Sequence, residues 1–350
     1  MRAFTIAGRT IGADARCFVI AEAGVNHNGD LDLAHRLVDA AAAARADAVK
    51  FQTFDADALA SAAAPKAAYQ AARTAAGESQ REMLRKLELP QAAHRELQRH
   101  AEERGLIFLS SPFEENSADF LGQLGVPAFK LGSGELTNHP FVAHLARKGR
   151  PLLVSTGMAT LAEVEAAVAV VAAAGDPPLA LFHCTSSYPA PDDAANLRAM
   201  QTMQRRFEDI CVGYSDHSLG TAIPWAAIAL GARLLEKHLT LDRSLPGPDH
   251  AASMDPAAFA ELVAGARRIE AAMGDGIKQP QPCETDTVLI ARKSLFAARD
   301  LQVGERLDAA AVVCRRPGTG ISPVRLASLL GKRIARPVAA ETMLQDADLA

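Results

Sequence analysis

Hydrophobic and polar positions alternate between two periods through the first 275 residues. Short apolar runs lie at 18–24 (FVIAEAG), 47–53 (DAVKFQT), 106–112 (LIFLSSP), 127–133 (PAFKLGS), 151–157 (PLLVSTG), 179–186 (LALFHCTS), 210–216 (ICVGYSD) and 234–240 (LLEKHLT). Each is bounded by Gly, Pro or charge, as strands are. Segments of helical period separate them, at 31–45, 90–104, 115–124, 139–147, 160–174, 196–206, 221–230 and 256–272. Thr160 with Glu163 three residues on has the form of a capping box, and Asp255 before Pro256 puts a cap ahead of a first-turn proline. Eight strands alternating with eight helices predict an α/β fold, the (β/α)8 TIM barrel. By count alone, a doubly wound open sheet is the competing arrangement. A barrel concentrates its chemistry at the C-terminal ends of its strands.

Two stretches break the alternation. Residues 54–80 are an Ala-rich insertion after the second run, long enough to cover a site mouth or to be a solvated loop. Residues 276–287 (GIKQPQPCETDT) change composition, after which short β-type runs return in SLFAARDL, AAVVCRRPG and RIARPVAA, with GERLDAAAV as a turn and short helix. The expected division is a barrel over 1–278, a linker over 279–287 and a β-rich module over 288–350. That module holds ten Lys/Arg against six Asp/Glu, so it is basic while the remainder carries the acidic balance.

Composition removes several classes. A net charge of −4 and an aromatic content of 5% supply neither the basic field nor the stacking platforms of a nucleic-acid binder. No apolar run is long enough for a membrane span, and MRAFTIAGRTIG lacks a signal-peptide core, so a cytoplasmic protein without a membrane partner is expected. The five cysteines are scattered without a C-x-x-C pair, which speaks against a disulfide framework or a zinc knuckle.

The strand ends are unusually polar. They carry Glu22 with Asn26 and His27; Lys50 and Gln52; Ser110 and Ser111; Lys130, Ser133 and Glu135; Ser155 and Thr156; His183, Ser186 and Tyr188; Ser215, Asp216 and His217; and Glu236, Lys237 and His238. Lysines inside apolar strands are rarely buried without a partner. Lys50 and Lys130, with hydroxyls around them, suit a phosphate and a carboxylate. The alternative is that one lysine pairs with Glu22 or Glu135, or forms a Schiff base. His217 and His238 end neighbouring strands, about 4.8 Å apart, and could share a divalent ion; satisfied core or surface histidines have the same spacing. The loop after the last strand (TLDRSLPGPDHAAS) brings Asp242, Asp249 and His250, where an acid could meet sugar hydroxyls or simply shape a turn.

Taken in order, AEAGVNHNGD, AVKFQTF, SSPF, KLGSGE, STGMAT, HCTSSYPAP, GYSDHS, EKHLTLD and PGPDH resemble the sialic acid synthase family, and ARKSLFAARDL with RRPGTGISP resembles the antifreeze-like (SAF) domain that follows its barrel. The resemblance covers nearly the whole chain. It implies condensation of phosphoenolpyruvate with an N-acetylated hexosamine and water, releasing phosphate. It further implies a divalent metal, Mn2+ first with Mg2+ or Co2+ as substitutes, and a domain-swapped homodimer.

Carried over by motif, Lys50, Ser111, Lys130, Ser133, Ser155, Ser186 and Ser215 hold phosphoenolpyruvate, and His217 and His238 bind the metal. Glu22 handles a proton or water. Glu135, Tyr188, Asp249 and Gln52 stand on the sugar side, and Arg316 reaches the acyl group in the other subunit. Lys50, Lys130, Glu22 and Glu135 form the expected catalytic set. N-acetylmannosamine, giving N-acetylneuraminate, is the favoured acceptor. A diacetamido-trideoxyhexose, giving diacetyllegionaminate or pseudaminate, is the alternative, because CTSSYPAP resembles pseudaminic acid synthases while PGPDHAAS and PGTGISP resemble the neuraminic and legionaminic branches. More distant readings are a Schiff-base pyruvate aldolase and a non-catalytic carbohydrate-binding protein.

Overall fold

The computed structural model describes residues 1–350. A short antiparallel hairpin, β1 (Phe4–Ile6) and β2 (Arg9–Ile11), precedes eight parallel strands. These are β3 (Phe18–Gly24), β4 (Ala48–Thr53), β5 (Ile107–Pro112), β6 (Phe129–Leu131), β7 (Leu152–Ser155), β8 (Leu179–Cys184), β9 (Cys211–Asp216) and β10 (Leu234–His238). Their order in the sheet is β5-β4-β3-β10-β9-β8-β7-β6. That is chain order read around a circle, and the two end strands, β5 and β6, pack side by side. The sheet is thus curled into a TIM-type barrel, with a helix following each strand: Leu31–Ala43, Gln91–Glu103, Glu115–Leu124, His139–Ala146, Leu161–Ala173, Leu197–Arg206, Ala222–Ala229 and Pro256–Met273. Both capping signals read from the sequence are made, Thr160 with Glu163 and Asp255 to the Ala258 N–H.

Residues alternate in and out along each strand. Val19, Ala21, Val49 and Phe51 face the helices in the larger core. Ile20, Ala48, Leu109, Leu153 and Phe182 fill the barrel interior, where Ile6 and Ile11 of the hairpin join them. Because both faces are covered, the strands read as nearly unbroken apolar runs rather than as alternating ones. Two residues further along β3, β4, β5 and β7 the same inward row turns polar, at Glu22, Lys50, Ser111 and Ser155. Pairing sets Glu22 level with Lys50 on one side and with His238 on the other.

The 54–80 insertion is organised. With its flank it forms three short helices, Ala56–Leu59, Ala68–Ala71 and Gln80–Arg85. Its neck is tied by the Ala56 N–H donating to Glu88 Oε1 at 2.6 Å.

The chain divides into two compact units, Met1–Gly274 and Asp275–Ala350. The second unit has its own core of Leu295, Leu301, Ile334 and Leu344 and an antiparallel pair, β11 (Ser294–Ala297) and β12 (Val312–Arg315). Residues 279–287, read as a linker, contain a 3-10 turn (Pro282–Glu284) and the start of a helix (Thr285–Ala291). The RIARPVAA run pairs through isolated bridges instead of a continuous strand; Pro337 within it has no N–H to give a ladder. No helix is long and apolar enough to cross a membrane.

Candidate active site

A cavity of about 460 Å³ opens at the C-terminal ends of the strands. Its floor is a buried charge network. Lys50 pairs with Glu22 and donates to Ser111 Oγ at 2.9 Å. Lys130 donates to Ser155 Oγ at 2.6 Å. Between the two ammonium groups lies Glu236, 3.9 Å from Lys50 and 3.5 Å from Lys130, and Ser215 Oγ donates to it at 3.3 Å. Burial pushes the Lys50 ammonium down from 10.5 to about 7, against the pull of the Glu236 carboxylate and with the push of Lys130. Burial raises the Glu236 carboxyl, but Lys130 and Lys50 outweigh it and hold that group below the ordinary carboxylate range. The two ammonium groups face two carboxylates, Glu22 and Glu236, in a floor ringed by hydroxyl donors; a small polyanion that takes over part of this pairing suits it.

Gly157 completes this cradle. Its N–H donates to Ser133 Oγ at 3.0 Å. A Cβ there would come within 2.3 Å of Ser186 Oγ and 2.8 Å of Ser133 Oγ, so only glycine leaves room between the two hydroxyls.

One wall is aromatic. The His217 and His238 rings are 5.4 Å apart, and Tyr188 packs on His217 at 4.1 Å and edge-on to His238 at 5.7 Å. His217 Nδ1 is bonded to the Thr185 carbonyl at 2.8 Å. His238 Nδ1 is buried with no hydrogen-bond partner and lies 3.9 Å from the Asp249 carboxylate. Burial, with the charges of His217 and Lys50, pushes His238 well below its usual range. Burial raises Asp249 to about 6.

Asp249 is delivered by a latch between two loops. Asn26 donates to the Leu239 carbonyl and to Ser253 Oγ, both at 2.8 Å, and Ser253 Oγ donates to the Asp249 carbonyl at 2.7 Å. Asn28 donates to the Pro246 carbonyl at 2.8 Å.

No group of three or more His, Cys, Asp or Glu side chains has the spacing of a complete metal site. What the wall offers is two neighbouring imidazoles, one of them carrying an orphaned buried nitrogen, beside a carboxylate. That is a partial ligand set whose remaining positions would fall to substrate or water oxygens.

The structure therefore gathers Glu22, Lys50, Gln52, Ser111, Lys130, Ser133, Ser155, Ser186, Tyr188, Ser215, His217 and His238 around one cavity, with Asp249 behind His238. Glu135 lies outside the lining, in the turn Ser133–Glu135, where it accepts from Asn138 at 2.9 Å. Arg316 is an exposed residue of the second unit whose Nε donates to the Ala291 carbonyl at 3.1 Å. Lys237 points away from the cavity and pairs with Asp216 behind the sheet. Glu236 had no role in the sequence reading. Its signal was there: two residues before His238, it shares that residue's inward face. Tyr69, Gln70 and Gln80 of the insertion also line the cavity; no strand-end rule points to them. A larger hollow of about 880 Å³ sits at the opposite ends of the strands, among Pro151, Pro177, Pro178 and Val171, and gathers none of these groups.

Comparison with known proteins gives the family and the fold. The sequence model described as the NeuB family matches residues 37–278, and that of the SAF domain matches 292–350. The N,N'-diacetyllegionaminic acid synthase of Legionella pneumophila is 45% identical, over 95% of this chain and 94% of its own. Human N-acetylneuraminate-9-phosphate synthase is 39% identical, over 93% and 91%. The crystal structure of N-acetylneuraminic acid synthetase from Leptospira borgpetersenii superposes with a TM-score of 0.73 at 33% identity, covering 82% of this chain and 95% of its own.

Proposed function

Because this chain belongs to the NeuB family, whose members are nonulosonic acid synthases, we propose that it condenses phosphoenolpyruvate with a neutral 2,4-diacetamido-2,4,6-trideoxyhexose. The products are an N,N'-diacetyllegionaminate-type acid and phosphate. The observation that carries the phosphoenolpyruvate half is the pair of buried ammonium groups sharing Glu236. An arriving phosphate takes over part of that pairing, and Ser111, Ser155 and Ser215 supply directional bonds.

One observation supports the diacetamido sugar over the N-acetylmannosamine of the sequence expectation, and a second speaks against a phosphorylated acceptor. The diacetyllegionaminic acid synthase is the nearer of the two relatives, at 45% against 39%. The cavity's only lysines are the two on its floor and no arginine lines it, so this unit offers its outer part no cation for a sugar phosphate. Arg316 of a partner subunit reaches the acyl group from outside in a swapped homodimer.

C3 of phosphoenolpyruvate attacks C1 of the open-chain sugar to form the carbon–carbon bond. Water adds at the former C2, and phosphate leaves by C–O cleavage. Glu22, beside Lys50, holds a proton at that water. His217 and His238 would hold a divalent cation, Mn2+ first and Mg2+ or Co2+ as substitutes, and such an ion polarises the sugar carbonyl.

The test offers phosphoenolpyruvate and Mn2+ with the diacetamido sugar, N-acetylmannosamine or its 6-phosphate, and reads phosphate release and product mass. Preferred turnover of the diacetamido sugar is expected; preference for N-acetylmannosamine or its 6-phosphate overturns the reading. His217→Ala or His238→Ala removes metal-dependent turnover, and full activity in either variant rejects the ligand pair.

A further inference from the structure

The insertion between β4 and the helix Gln91–Glu103 closes over the outer part of the cavity. Tyr69 stacks on Tyr188 with ring centroids 4.9 Å apart and planes 29° from parallel. This extends the aromatic wall from the histidines to the rim. Beside it, Gln70 Oε1 accepts the Ala67 N–H at 2.9 Å, which fixes that amide's orientation because a backbone N–H can only donate. Gln80 Nε2 then donates to the same oxygen at 3.3 Å. Both carboxamides line the cavity. Their internal bonds consume one oxygen and one nitrogen, leaving the Gln70 NH2 to donate and the Gln80 oxygen to accept.

No cation of the insertion or its flank lines the cavity, and Arg73 is exposed outside it. Lys66 donates to Thr74 Oγ1 at 2.9 Å and to the Ala75 carbonyl at 2.6 Å, Lys86 pairs with Glu78, and Arg85 with Asp57. The face turned to the cavity is therefore aromatic and amide in character. An acylamino substituent has the matching chemistry: a carbonyl to accept, an N–H to donate and a methyl to rest on a ring face.

We propose that Tyr69 and the Gln70–Gln80 amide pair read a second acylamino group on the acceptor sugar, so that the insertion sets acceptor choice. The inference rests on the diacetamido reading above and assigns its discrimination to named side chains. A site built to hydrogen-bond a substituent rejects the analogue lacking it, because its polar groups are then left unpaired.

The test measures kcat/KM for the diacetamido sugar and for N-acetylmannosamine, and KM for phosphoenolpyruvate, in the full-length enzyme and in Gln70→Glu, Tyr69→Phe and Tyr69→Ala. Gln70→Glu keeps the acceptor for Ala67 and Gln80 and replaces the outward donor with a charged, acceptor-only oxygen. Its expected result is a fall of about tenfold in the preference for the diacetamido sugar, with the phosphoenolpyruvate KM within about twofold of wild type. Tyr69→Phe keeps the platform and the preference, while Tyr69→Ala loses it. Unchanged preference in Gln70→Glu and Tyr69→Ala, or an equal rise in both substrates' KM, overturns the inference. The wild-type ratio judges the diacetamido reading separately. If wild type prefers N-acetylmannosamine, that reading falls and the second-group assignment falls with it. If wild type prefers the diacetamido sugar and the variants keep that preference, only the assignment falls.

Discussion

Glu236 shows how much one buried side chain can carry. It is the shared counter-charge of Lys50 and Lys130, so Glu236→Gln leaves two buried cations with less compensation. Stability is expected to fall by about 3 kcal/mol in urea denaturation, and added phosphate or phosphoenolpyruvate should recover part of the loss by supplying the missing anion. Equal stability of variant and wild type would show that the network is not shared in this way. His27 gives a second test. Burial pulls its imidazole from 6.5 down to about 4, so the unfolded chain takes up a proton that the folded one refuses. Its contribution is full above about pH 6.5 and is lost as pH falls toward 4, up to about 3 kcal/mol. The slope of stability against pH over that window should flatten in His27→Gln. The two lysines were legible because a charge inside an apolar run stands out. Glu236 was not, since its meaning comes from ammonium groups more than 100 residues away.

Helices and strands were legible where local signals agree, as at the Thr160 capping box and the Asp255 cap. They were less so where tertiary geometry takes over. The run 127–133 yields only the strand Phe129–Leu131, because the chain turns into the 3-10 helix Ser133–Glu135 as it enters the cavity rim. The same turn directs Glu135 to Asn138 and away from the lining, and nothing in KLGSGE announces that. The latch formed by Asn26 was also invisible, since Leu239 and Ser253 are over 200 residues distant. It predicts that Asn26→Ala loosens the loop carrying Asp249 and raises the sugar KM by about tenfold while sparing phosphoenolpyruvate. Combined with Asp249→Asn, the loss should be no greater than that of the worse single change. Additive losses in steady-state kinetics would separate the latch from Asp249.

At the scale of the whole molecule, the proposed swapped homodimer makes its own prediction. If Arg316 serves the partner's cavity, coexpressing Arg316→Ala and His217→Ala chains produces mixed dimers with one intact site. About a quarter of wild-type turnover should return from two impaired parents, whereas sites built within one subunit give no recovery. The eightfold alternation made the barrel plain from sequence, and the composition change near 276 marked a second module. Assembly leaves no mark on which periodicity could report. The tied neck of the insertion has a separate implication. The groups proposed to bind phosphate are scattered over many strands, so they can change only in concert. Tyr69, Gln70 and Gln80 travel on one continuous stretch of chain whose base is clasped by Ala56 and Glu88. Such a segment is a graftable cassette: exchanged between cousins, it would transplant a taste for sugars without disturbing the bond-making machinery beneath.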